Sequence, residues 1–373
     1  MNKKVITIFG TRPELIKLSG VIRILNNDKD IDHKICSTGQ HKELIEDLLE
    51  FYNFNLDYDC KVMEPNQKLT NLVSKILNSL SVIFDSEMPD LIIVHGDTAT
   101  TLAASLAGFF EKIPIVHVEA GLRTHNISSP FPEEANRIIT DRLSSLYFPP
   151  TDLSFNNLVR EGLGKHSIRV TGNTAIDSLL HTKNLLKDDF KVENFPKEGK
   201  VILVTAHRRE SHGLGIERIC KAIKELCESS LTPNVKVFWP VHPNPNIKNV
   251  VHEKLKNIDK VILSPPLKYE EFVWAMDNSY IILTDSGGVQ EEAPSLNKPV
   301  LVMRDQTERP EGITAGCLKM VGTNYHTIKK ETFKLLMDKN HYDIMATSPN
   351  PYGDGKASEK IVETIKRYIN LDI

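Results

Sequence analysis

Two adjacent carboxylates, Glu133 and Glu134, lie in the stretch SPFPEEANR at positions 129–137. One interpretation is structural. Pro132 suits the first position of a helix, and acidic residues suit its first turn, where the helix dipole favours a negative charge. The other interpretation is that one of the two carboxylates gives and takes protons in a reaction. The placement of polar residues in the rest of the chain bears on this choice.

Polar residues recur where short apolar runs end, as in IIVHGD, IVHVEAG, ILVTAHRRE and VFWPVHP. In a sheet of parallel strands, these ends line the ligand crevice. A single residue in such a place often only orders a loop through hydrogen bonds. Seven residues at equivalent positions indicate a polar site. They are His95, His117, His207, His242, Asp97, Glu119 and Asp285.

The stretch TDSGGVQEE at 284–292 follows an apolar run and opens a helical pattern. Backbone N–H groups of Ser286, Gly287 and Gly288 would face an anion there. The pattern is neither GxGxxG nor GxxxxGK(S/T), so it indicates neither a nicotinamide dinucleotide site nor an ATP P-loop. A diphosphate fits, with Glu292 accepting hydrogen bonds from ribose hydroxyls. The simpler alternative is a glycine-rich turn with Ser286 as an ordinary helix cap.

Cationic side chains stand early in two similar segments, FGTRPELIKL and TAHRRES. Arginine suits phosphate because its planar guanidinium donates paired hydrogen bonds. Taken singly, each cation would more often be a surface or loop-anchoring residue. The candidates for facing a diphosphate are Arg12, Lys17, Arg208 and Arg209.

Composition bounds the class of protein. The chain has 373 residues, of which 40% are hydrophobic and 25% charged, with a formal net charge of −3. The length predicts two domains, and the charge favours neither a nucleic acid nor a membrane surface as partner. The five scattered cysteines form no metal-binding or disulfide pattern, so no metal is expected. No stretch is apolar enough for a membrane span, and we expect a cytoplasmic protein.

Eight short apolar runs rich in Val and Ile recur along the chain, most of them followed by a polar loop and a helical pattern. Continuous apolar runs are typical of a sheet buried on both faces, and this alternation predicts a doubly wound parallel sheet. The two halves repeat this order. The predicted strands are KVITIF, DLIIVHG, IPIVHV, VILVTA, VKVFWPV, KVILS, YIILTDS and PVLVM.

The predicted fold class is α/β, with two Rossmann-like doubly wound domains facing a cleft. The N-terminal domain is expected at 1–184, a charged linker at 185–200 and the C-terminal domain at 201–354. Residues 355–373 form a last helix that could pack back on the N-terminal domain or on the other one.

Ten motifs occur in order between residues 9 and 355. The chain resembles the bacterial non-hydrolysing UDP-N-acetylglucosamine 2-epimerases over essentially its whole length. The motifs are FGTRPELIKL, GQHKEL, VHGDTATTLAASLAGF, HVEAGLRT, SPFPEEANR, VTGNTAIDSL, TAHRRES, VHPNPN, TDSGGVQEEAPSLNKPVLVMRDQTERPE and NPYGDG.

The resemblance implies a glycosyltransferase-B-type fold that binds a UDP-sugar and interconverts UDP-GlcNAc and UDP-ManNAc, without a metal or NAD. It also implies a homodimer, activation by UDP-GlcNAc at a second site, and a product used for surface polysaccharide. Three positions depart from the family's commonest pattern and leave the strength of that activation open. They are Phe131, Lys42 and Lys68.

Motif positions carry the family's residues over to this chain. The catalytic set falls on Asp97, Glu119, Glu133 and His207. The substrate and UDP set falls on Arg12, Lys17, Phe272, Ser286, Gly287, Gly288 and Glu292, to which we add His242 of VHPNPN. The regulatory set falls on Gln40, His41, Gln67, Glu134, Arg208 and Arg209.

The chemistry expected is elimination followed by re-addition. Loss of UDP from C1 makes the C2 hydrogen removable and gives a 2-acetamidoglucal, to which UDP adds back after protonation of the opposite face. The candidate acid/base groups are Asp97, Glu119 and Glu133. We expect Glu133 to face C2 and Glu134 to face a regulatory or structural network.

Other functions remain open from the sequence alone. A hydrolysing epimerase would release ManNAc and UDP, and a retaining glycosyltransferase of the same fold would need fewer acidic residues. A nucleotide-sugar sensor without activity, or a 2-epimerase acting on a 6-deoxy UDP-sugar, are further alternatives.

Overall fold

The computed structural model forms two compact units. It describes residues 2–40, 42–208, 213–307 and 309–370. Unit 1 comprises Met1–Ser178 together with Gly353–Ile373, and unit 2 comprises Leu179–Tyr352. The domain and linker boundaries proposed from the sequence stay a prediction.

The strands of unit 1 build one parallel sheet. They are β1 (Lys3–Phe9), β2 (Ile31–Ser37), β3 (Tyr58–Asp59), β4 (Leu91–His95), β5 (Ile115–Val118) and β6 (Leu146–Phe148). Among the described residues the strand order is β3-β2-β1-β4-β5-β6. Every residue of β4, β5 and β6 is buried, as a sheet covered on both faces requires.

Helices cover this sheet. They are α1 (Arg12–Asn26), α2 (Lys42–Tyr52), α3 (Leu69–Glu87), α4 (Ala99–Phe110), α5 (Glu133–Leu143), α6 (Asp152–Arg160) and α7 (Thr174–Leu185). A core of apolar side chains from α3 and α4 packs on β1 and β4, with Ile6, Ile76, Ile92 and Ala103 fully buried in it. The division between the two units falls within α7.

Unit 2 repeats the same plan. Its strands are β7 (Lys200–Thr205), β8 (Val235–Pro240), β9 (Val261–Ser264), β10 (Ile281–Thr284), β11 (Val300–Val302) and β12 (Leu318–Met320). Its helices are α8 (Leu214–Glu228), α9 (Pro245–Leu255), α10 (Tyr269–Asp277), α11 (Gly287–Glu292), α12 (Pro310–Ala315), α13 (Tyr325–Met337) and α14 (Lys339–Ala346). Within the described residues the parallel order is β12-β11-β10-β7-β8-β9.

The last helix, α15 (Ala357–Asn370), belongs to unit 1 and packs on α1. Its first residues are held by Asp177, whose carboxylate accepts hydrogen bonds from the backbone N–H groups of Ala357 (3.2 Å) and Ser358 (2.7 Å). An acceptor at this place satisfies donors that a helix N-terminus leaves free.

Counted from its own first strand, each sheet has the order 3-2-1-4-5-6. In such a sheet the order reverses next to the first strand, and ligands bind beyond the carboxyl ends of the two strands there. These are β1 and β4 in unit 1, and β7 and β10 in unit 2. The segments that follow these four strands carry Arg12, Asp97, His207 and Ser286, and those after the adjacent strands β5 and β8 carry Glu119 and His242.

The prediction of two Rossmann-like doubly wound α/β domains is confirmed, and all eight predicted runs are strands. Four strands escaped prediction, namely β2, β3, β6 and β12. Three of these lie at sheet edges and have two or three residues each, too few for a recognisable apolar run. The fourth, β2, has a polar, partly exposed stretch in its middle.

Helix α5 begins one residue later than the sequence predicts. Pro132 is the residue before the first turn, and Glu133 is the first helical residue. Both adjacent carboxylates still lie in that first turn. In the part of the chain that the structure describes, no helix has the length and apolar character to cross a membrane.

Gly10 sits where the segment after β1 passes close to two threonines. A Cβ atom at this position would overlap the hydroxyl groups of Thr38 and Thr100, which are themselves hydrogen-bonded to each other at 2.8 Å. We expect Gly10→Ala to lower the free energy of unfolding by about 1–3 kcal/mol through overpacking. Thermal unfolding followed by circular dichroism measures this.

The matched control is Gly288→Ala, because no atom lies within 4 Å of a Cβ placed there. That variant should melt within a degree or so of the parent, since alanine is well accepted in a helix. Equal melting temperatures for Gly10→Ala and the parent would contradict the packing described.

Candidate functional site

Three carboxylates gather at the carboxyl edge of the unit 1 sheet. Asp97 follows β4, Glu119 follows β5 and Glu133 opens α5. The pKa of Asp97 is raised, chiefly by burial, and the negative charges of Glu119 and Glu133 raise it further. Glu119 and Glu133 are thus both near enough to Asp97 for their charges to disfavour its ionisation.

Helix α5 holds Asp97 in place. The Arg137 guanidinium donates two hydrogen bonds to one Asp97 carboxylate oxygen, from Nε at 3.1 Å and from NH2 at 2.6 Å. The side-chain amide of Asn136 donates to the Asp97 backbone carbonyl at 2.8 Å. The nearby arginine opposes the rise in the pKa of Asp97 caused by burial.

Glu119 lies between a cation and a neutral histidine. One carboxylate oxygen is ion-paired with Lys17 of α1, and the other lies 3.8 Å from His95 Nε2. Burial lowers the pKa of His95 to about 3, outweighing the effect of Glu119, so that imidazole is neutral. Glu119 itself has a φ of 65°, a left-handed conformation that is strained for a residue with a side chain.

The adjacent carboxylates of α5 have different surroundings. Glu134 is fully buried and accepts hydrogen bonds from the backbone N–H groups of Thr124 (3.0 Å) and His125 (3.0 Å), with Arg137 NH1 at 3.2 Å. Glu133 is partly exposed and, among the described residues, makes no hydrogen bond or ion pair. Glu134 orders the segment before α5, whereas Glu133 is available to a ligand.

The N-terminus of α1 presents a cation to the same edge. Glu14, fully buried, accepts from the backbone N–H groups of Gly10 (3.1 Å) and Thr11 (2.8 Å) and so closes the first turn. Arg12 is the first helical residue, is partly exposed and has no hydrogen-bond or ion-pair partner in the described ranges. A cation at a helix N-terminus is unfavourable unless an anion joins it.

In unit 2, Asp285 organises the segment after β7. Its buried carboxylate accepts from the backbone N–H groups of His207 (2.9 Å) and Arg208 (2.9 Å), and its Oδ1 lies 3.3 Å from His207 Nδ1. Burial lowers the pKa of His207; Asp285 opposes this, and Arg208, His242 and Arg304 reinforce it. The lowered pKa favours the neutral form of His207.

His242 lies beside His207, with ring centroids 5.8 Å apart and an interplanar angle of 24°. Its Nδ1 accepts from the backbone N–H of Asn244 at 3.2 Å, which leaves Nε2 as the protonated nitrogen. The structure thus brings these two predicted histidines together at the carboxyl ends of β7 and β8.

Ser286, Gly287 and Gly288 follow β10, as predicted, and Ser286 is the N-cap residue of α11, although its side chain makes no capping hydrogen bond. A Cβ on Gly287 would lie 3.2 Å from the guanidinium carbon of Arg309, so a cation sits over this turn. Arg309 is oriented by Glu291, at 2.9 Å from Nε and 2.8 Å from NH2.

The other predicted unit 2 residues lie on the helices around this turn. Glu292 ends α11 and is 8% exposed, and Phe272 is a partly buried residue of α10.

The predicted regulatory residues are dispersed over both units. Gln40 Oε1 accepts from Thr100 Oγ1 at 3.3 Å, and Gln67 Oε1 accepts from the Glu64 backbone N–H at 3.1 Å. His41 and Arg209 lie outside the described residues. The regulatory assignment stays a prediction.

Sequence reasoning missed several residues that shape the site. Arg137 and Asn136 fix Asp97, Asp141 continues the same face of α5, and Arg309 lies over Gly287. The i, i+4 spacing of Glu133, Arg137 and Asp141 was a usable signal, because such residues share one helix face. In the described ranges no three His, Cys, Asp or Glu side chains are grouped closely enough to hold a metal ion.

Comparisons with known proteins agree with one another. A family model described as UDP-N-acetylglucosamine 2-epimerase matches residues 23–366. The Escherichia coli K12 UDP-N-acetylglucosamine 2-epimerase is 46% identical over 371 residues, covering 97% of this chain and 98% of that protein.

Two solved structures resemble this one closely. The Neisseria meningitidis UDP-GlcNAc 2-epimerase, crystallised bound to UDP-GlcNAc, has a TM-score of 0.89 and 45% identity, covering 98% of this chain and all of that one. An S. aureus protein in a co-structure with UDP has a TM-score of 0.90 and 42% identity, covering 99% and 97% of the two chains.

The pair formed by Asp97 and Arg137 predicts a pH-dependent stability. Because the folded-state pKa of Asp97 is raised, the stability linked to this group is present at low pH and is lost as the pH rises through that pKa. Arg137→Met removes the guanidinium that opposes the rise in the pKa of Asp97. Its cost should therefore grow between about pH 5 and about pH 8, reaching about 1–3 kcal/mol for this partly exposed pair.

Melting temperatures of the parent and Arg137→Met at the two pH values measure this cost. The control is the double variant Asp97→Asn with Arg137→Met, in which the pH-dependent part should shrink because Asp97 no longer ionises, whereas Glu134, also 3.2 Å from Arg137 NH1, loses this cation in both variants. A penalty that is the same at both pH values would show that the two groups are not coupled by charge.

Proposed function

The chain belongs to the UDP-N-acetylglucosamine 2-epimerase family, and from that premise we propose that it interconverts UDP-GlcNAc and UDP-ManNAc by elimination of UDP and re-addition. The observation that carries this proposal is the group of Asp97, Glu119 and Glu133 at one edge of the sheet, in which both glutamates disfavour ionisation of Asp97. Inverting C2 through a flat intermediate needs a proton removed from one face and another delivered to the opposite face.

The chemistry follows from the substrate. The C2 hydrogen of UDP-GlcNAc is not next to a carbonyl group, so it is not acidic. When the bond between C1 and the diphosphate oxygen breaks, its electron pair leaves with UDP and positive charge develops at C1. The C2 proton then passes to a base and a C1–C2 double bond forms. Protonation of C2 on its other face and return of the UDP oxygen to C1 complete the epimer.

The carboxylates of unit 1 suit different parts of this sequence. Glu133 opens α5 and has no hydrogen-bond or ion-pair partner among the described residues, so its side chain is available to take up and return a proton. Asp97 is fixed by Arg137, and its raised pKa makes it a proton donor at neutral pH more readily than a free aspartate. Glu119, paired with Lys17, can stabilise positive charge at C1.

The residues of unit 2 suit the leaving group. Neutral His207 can donate a hydrogen bond to the departing diphosphate, and Arg309 places a cation over Gly287. The solved relatives that contain UDP-GlcNAc or UDP support a nucleotide site in this protein too. Donors placed where negative charge develops are commonly the largest contribution to catalysis.

The deciding experiment is incubation of the protein with UDP-GlcNAc in D2O, followed by proton NMR. We expect UDP-ManNAc to appear and deuterium to enter C2 of both sugars. Accumulation of free ManNAc with UDP would favour a hydrolysing epimerase instead. Hydrolysis or transfer without exchange at C2 would favour a glycosyltransferase, and no change at all would leave a binding protein. Supplying a 6-deoxy UDP-sugar in parallel tests that alternative substrate.

Glu133→Gln keeps the size of the side chain but cannot accept the proton. We expect deuterium entry at C2 to fall by about 10³-fold, within the range for a lost acid/base group, while UDP binding measured by calorimetry is retained. Glu111→Gln, an exposed carboxylate at the end of α4, is the control and should exchange at the parent rate. Loss of UDP binding with an intact fold would instead give Glu133 a structural role.

A homodimer is the assembly we propose. Helices α3 and α4 pack side by side, and large apolar side chains are exposed at their C-terminal ends: Val82 at 69%, Met88 at 79%, Phe109 at 55% and Phe110 at 66%. Apolar groups this exposed and this close are typical of a protein interface. A second copy of the chain would cover them.

Light scattering on a sizing column should give a mass of about twice 42.1 kDa. Phe110→Glu should shift the population to monomer, because a buried unpaired charge opposes association. Leu231→Glu, at a 65% exposed residue of unit 2, is the matched control and should stay dimeric. A monomeric parent would overturn the assembly without touching the activity.

Regulation and location complete the proposal. Glu134, predicted to contact an activating UDP-GlcNAc, is adjacent to Glu133 and orders the segment before α5, so a ligand there could act on the acid/base group. The five cysteines are all free, which supports a reducing compartment such as the cytoplasm. The product would serve surface polysaccharide synthesis.

A further inference from the structure

Asp141 is a buried charge that the proposed chemistry does not use. It lies near the end of α5 and has no exposed surface. It stands four residues after Arg137 and eight after Glu133, so all three share one face of the helix. Glu133 is one of the three clustered carboxylates, and Arg137 bonds to Asp97, another of them. Asp141 bonds instead to β5 and to the loop after it.

One oxygen of Asp141 bonds to His117 of β5, with Oδ1 2.7 Å from Nδ1. The other nitrogen of His117, Nε2, lies 2.8 Å from the backbone carbonyl of Gly96. A carbonyl can only accept, so Nε2 carries a proton and donates to Gly96. Gly96 directly precedes Asp97, so this chain of bonds reaches the backbone of the first carboxylate.

The second oxygen of Asp141 bonds to the loop that follows β5. Oδ2 accepts from the backbone N–H of Gly121 at 3.3 Å and from Arg123 NH2 at 2.7 Å. Gly121 stands two residues after Glu119. A single side chain thus ties the segment that carries Asp97 to the segment that carries Glu119.

Charge holds this network together. His117 and Arg123 keep the pKa of Asp141 below its usual value in spite of burial, so Asp141 is a carboxylate and both nitrogens of His117 donate. Arg123 is in turn paired with Glu161, at 2.6 Å from Nε and 2.8 Å from NH2. Every charge in the buried chain has a partner, as buried charges require.

The backbone that these hydrogen bonds fix contains two glycines, which could otherwise adopt many conformations. Gly96 has a φ of 66° and Gly121 a φ of 82°, and Glu119 shares this left-handed conformation. Glycine adopts many conformations at little cost, so such segments need external contacts to keep one geometry. The separation of two candidate acid/base groups depends on that geometry.

We propose that Asp141 and His117 are positioning residues that lock the loops after β4 and β5 and thereby set the separation of Asp97 and Glu119. The proposal rests on the proposed function for its effect on turnover. Its effect on the two loops can be measured without any activity.

Asp141→Asn is the central test. The amide keeps the shape but must present N–H groups to donors, so at least one tether is lost. We expect kcat for epimerisation to fall about 10²-fold, the loss typical of a slight misplacement of reacting groups, with the Kd for UDP changed less than about twofold. In hydrogen–deuterium exchange, peptides spanning 95–98 and 119–122 should exchange faster than in the parent.

Asp177→Asn is the matched control. Asp177 is also a buried aspartate of unit 1 that accepts from two backbone N–H groups, but it holds α15 and not the two loops. It should lower the melting temperature while leaving kcat and exchange at 95–98 and 119–122 unchanged. An equal loss of kcat in both aspartate variants would reduce Asp141 to a general stability role and overturn the proposal.

A double-variant cycle separates positioning from stability. If Asp141 acts by setting the separation of Asp97 and Glu119, then adding Asp141→Asn to Asp97→Asn should lower the residual rate by clearly less than the loss of about 10²-fold in the parent, because one of the two positioned groups is already gone. Multiplicative losses would overturn the proposal. So would unchanged exchange of the two loop peptides in Asp141→Asn, even if the parent shows no epimerase activity and the proposed function itself fails.

Discussion

The hydrogen bonds from Arg137 to Asp97 are the interaction on which the unit 1 site depends. They fasten a helix to the end of a strand from which it is separated by nearly forty residues of chain. With α5 held there, Glu133 is placed at the same edge as Asp97, and Glu134 can order the segment that leads into the helix. Breaking this pair would leave the Asp97 carboxylate, which is only partly exposed, without its cation, and that is costly.

The two units use one strand order for different chemistry. In each, the segments beyond the point where the order reverses carry the polar residues. In unit 1 these segments carry carboxylates that form ion pairs with a lysine and an arginine. Unit 2 has filled them with histidines, a buried aspartate and glycines beneath an arginine. A common frame thus holds a group of carboxylates in unit 1 and histidines with a glycine-rich turn in unit 2.

The sequence was informative where a pattern is local. Long apolar runs identified the central strands, and polar residues at their ends identified Asp97, Glu119 and His207. Edge strands such as β3 were missed because two residues carry no pattern. Arg137 and Asp141 were missed because their partners are fixed by the tertiary fold: their spacing from Glu133 shows a shared helix face, but not that the face meets the ends of β4 and β5. Arg309 was missed for the same reason.

The left-handed backbone of Glu119 limits how the thermal stability of this protein can be raised. Glycine would relieve the strain, worth about 1 kcal/mol or more at a position of this kind. Selection for heat resistance alone would favour that exchange, yet it would remove one of the three carboxylates and break the ion pair with Lys17. At position 119, higher folding stability would therefore come at the expense of turnover. Stabilising substitutions should be sought at other positions of the chain.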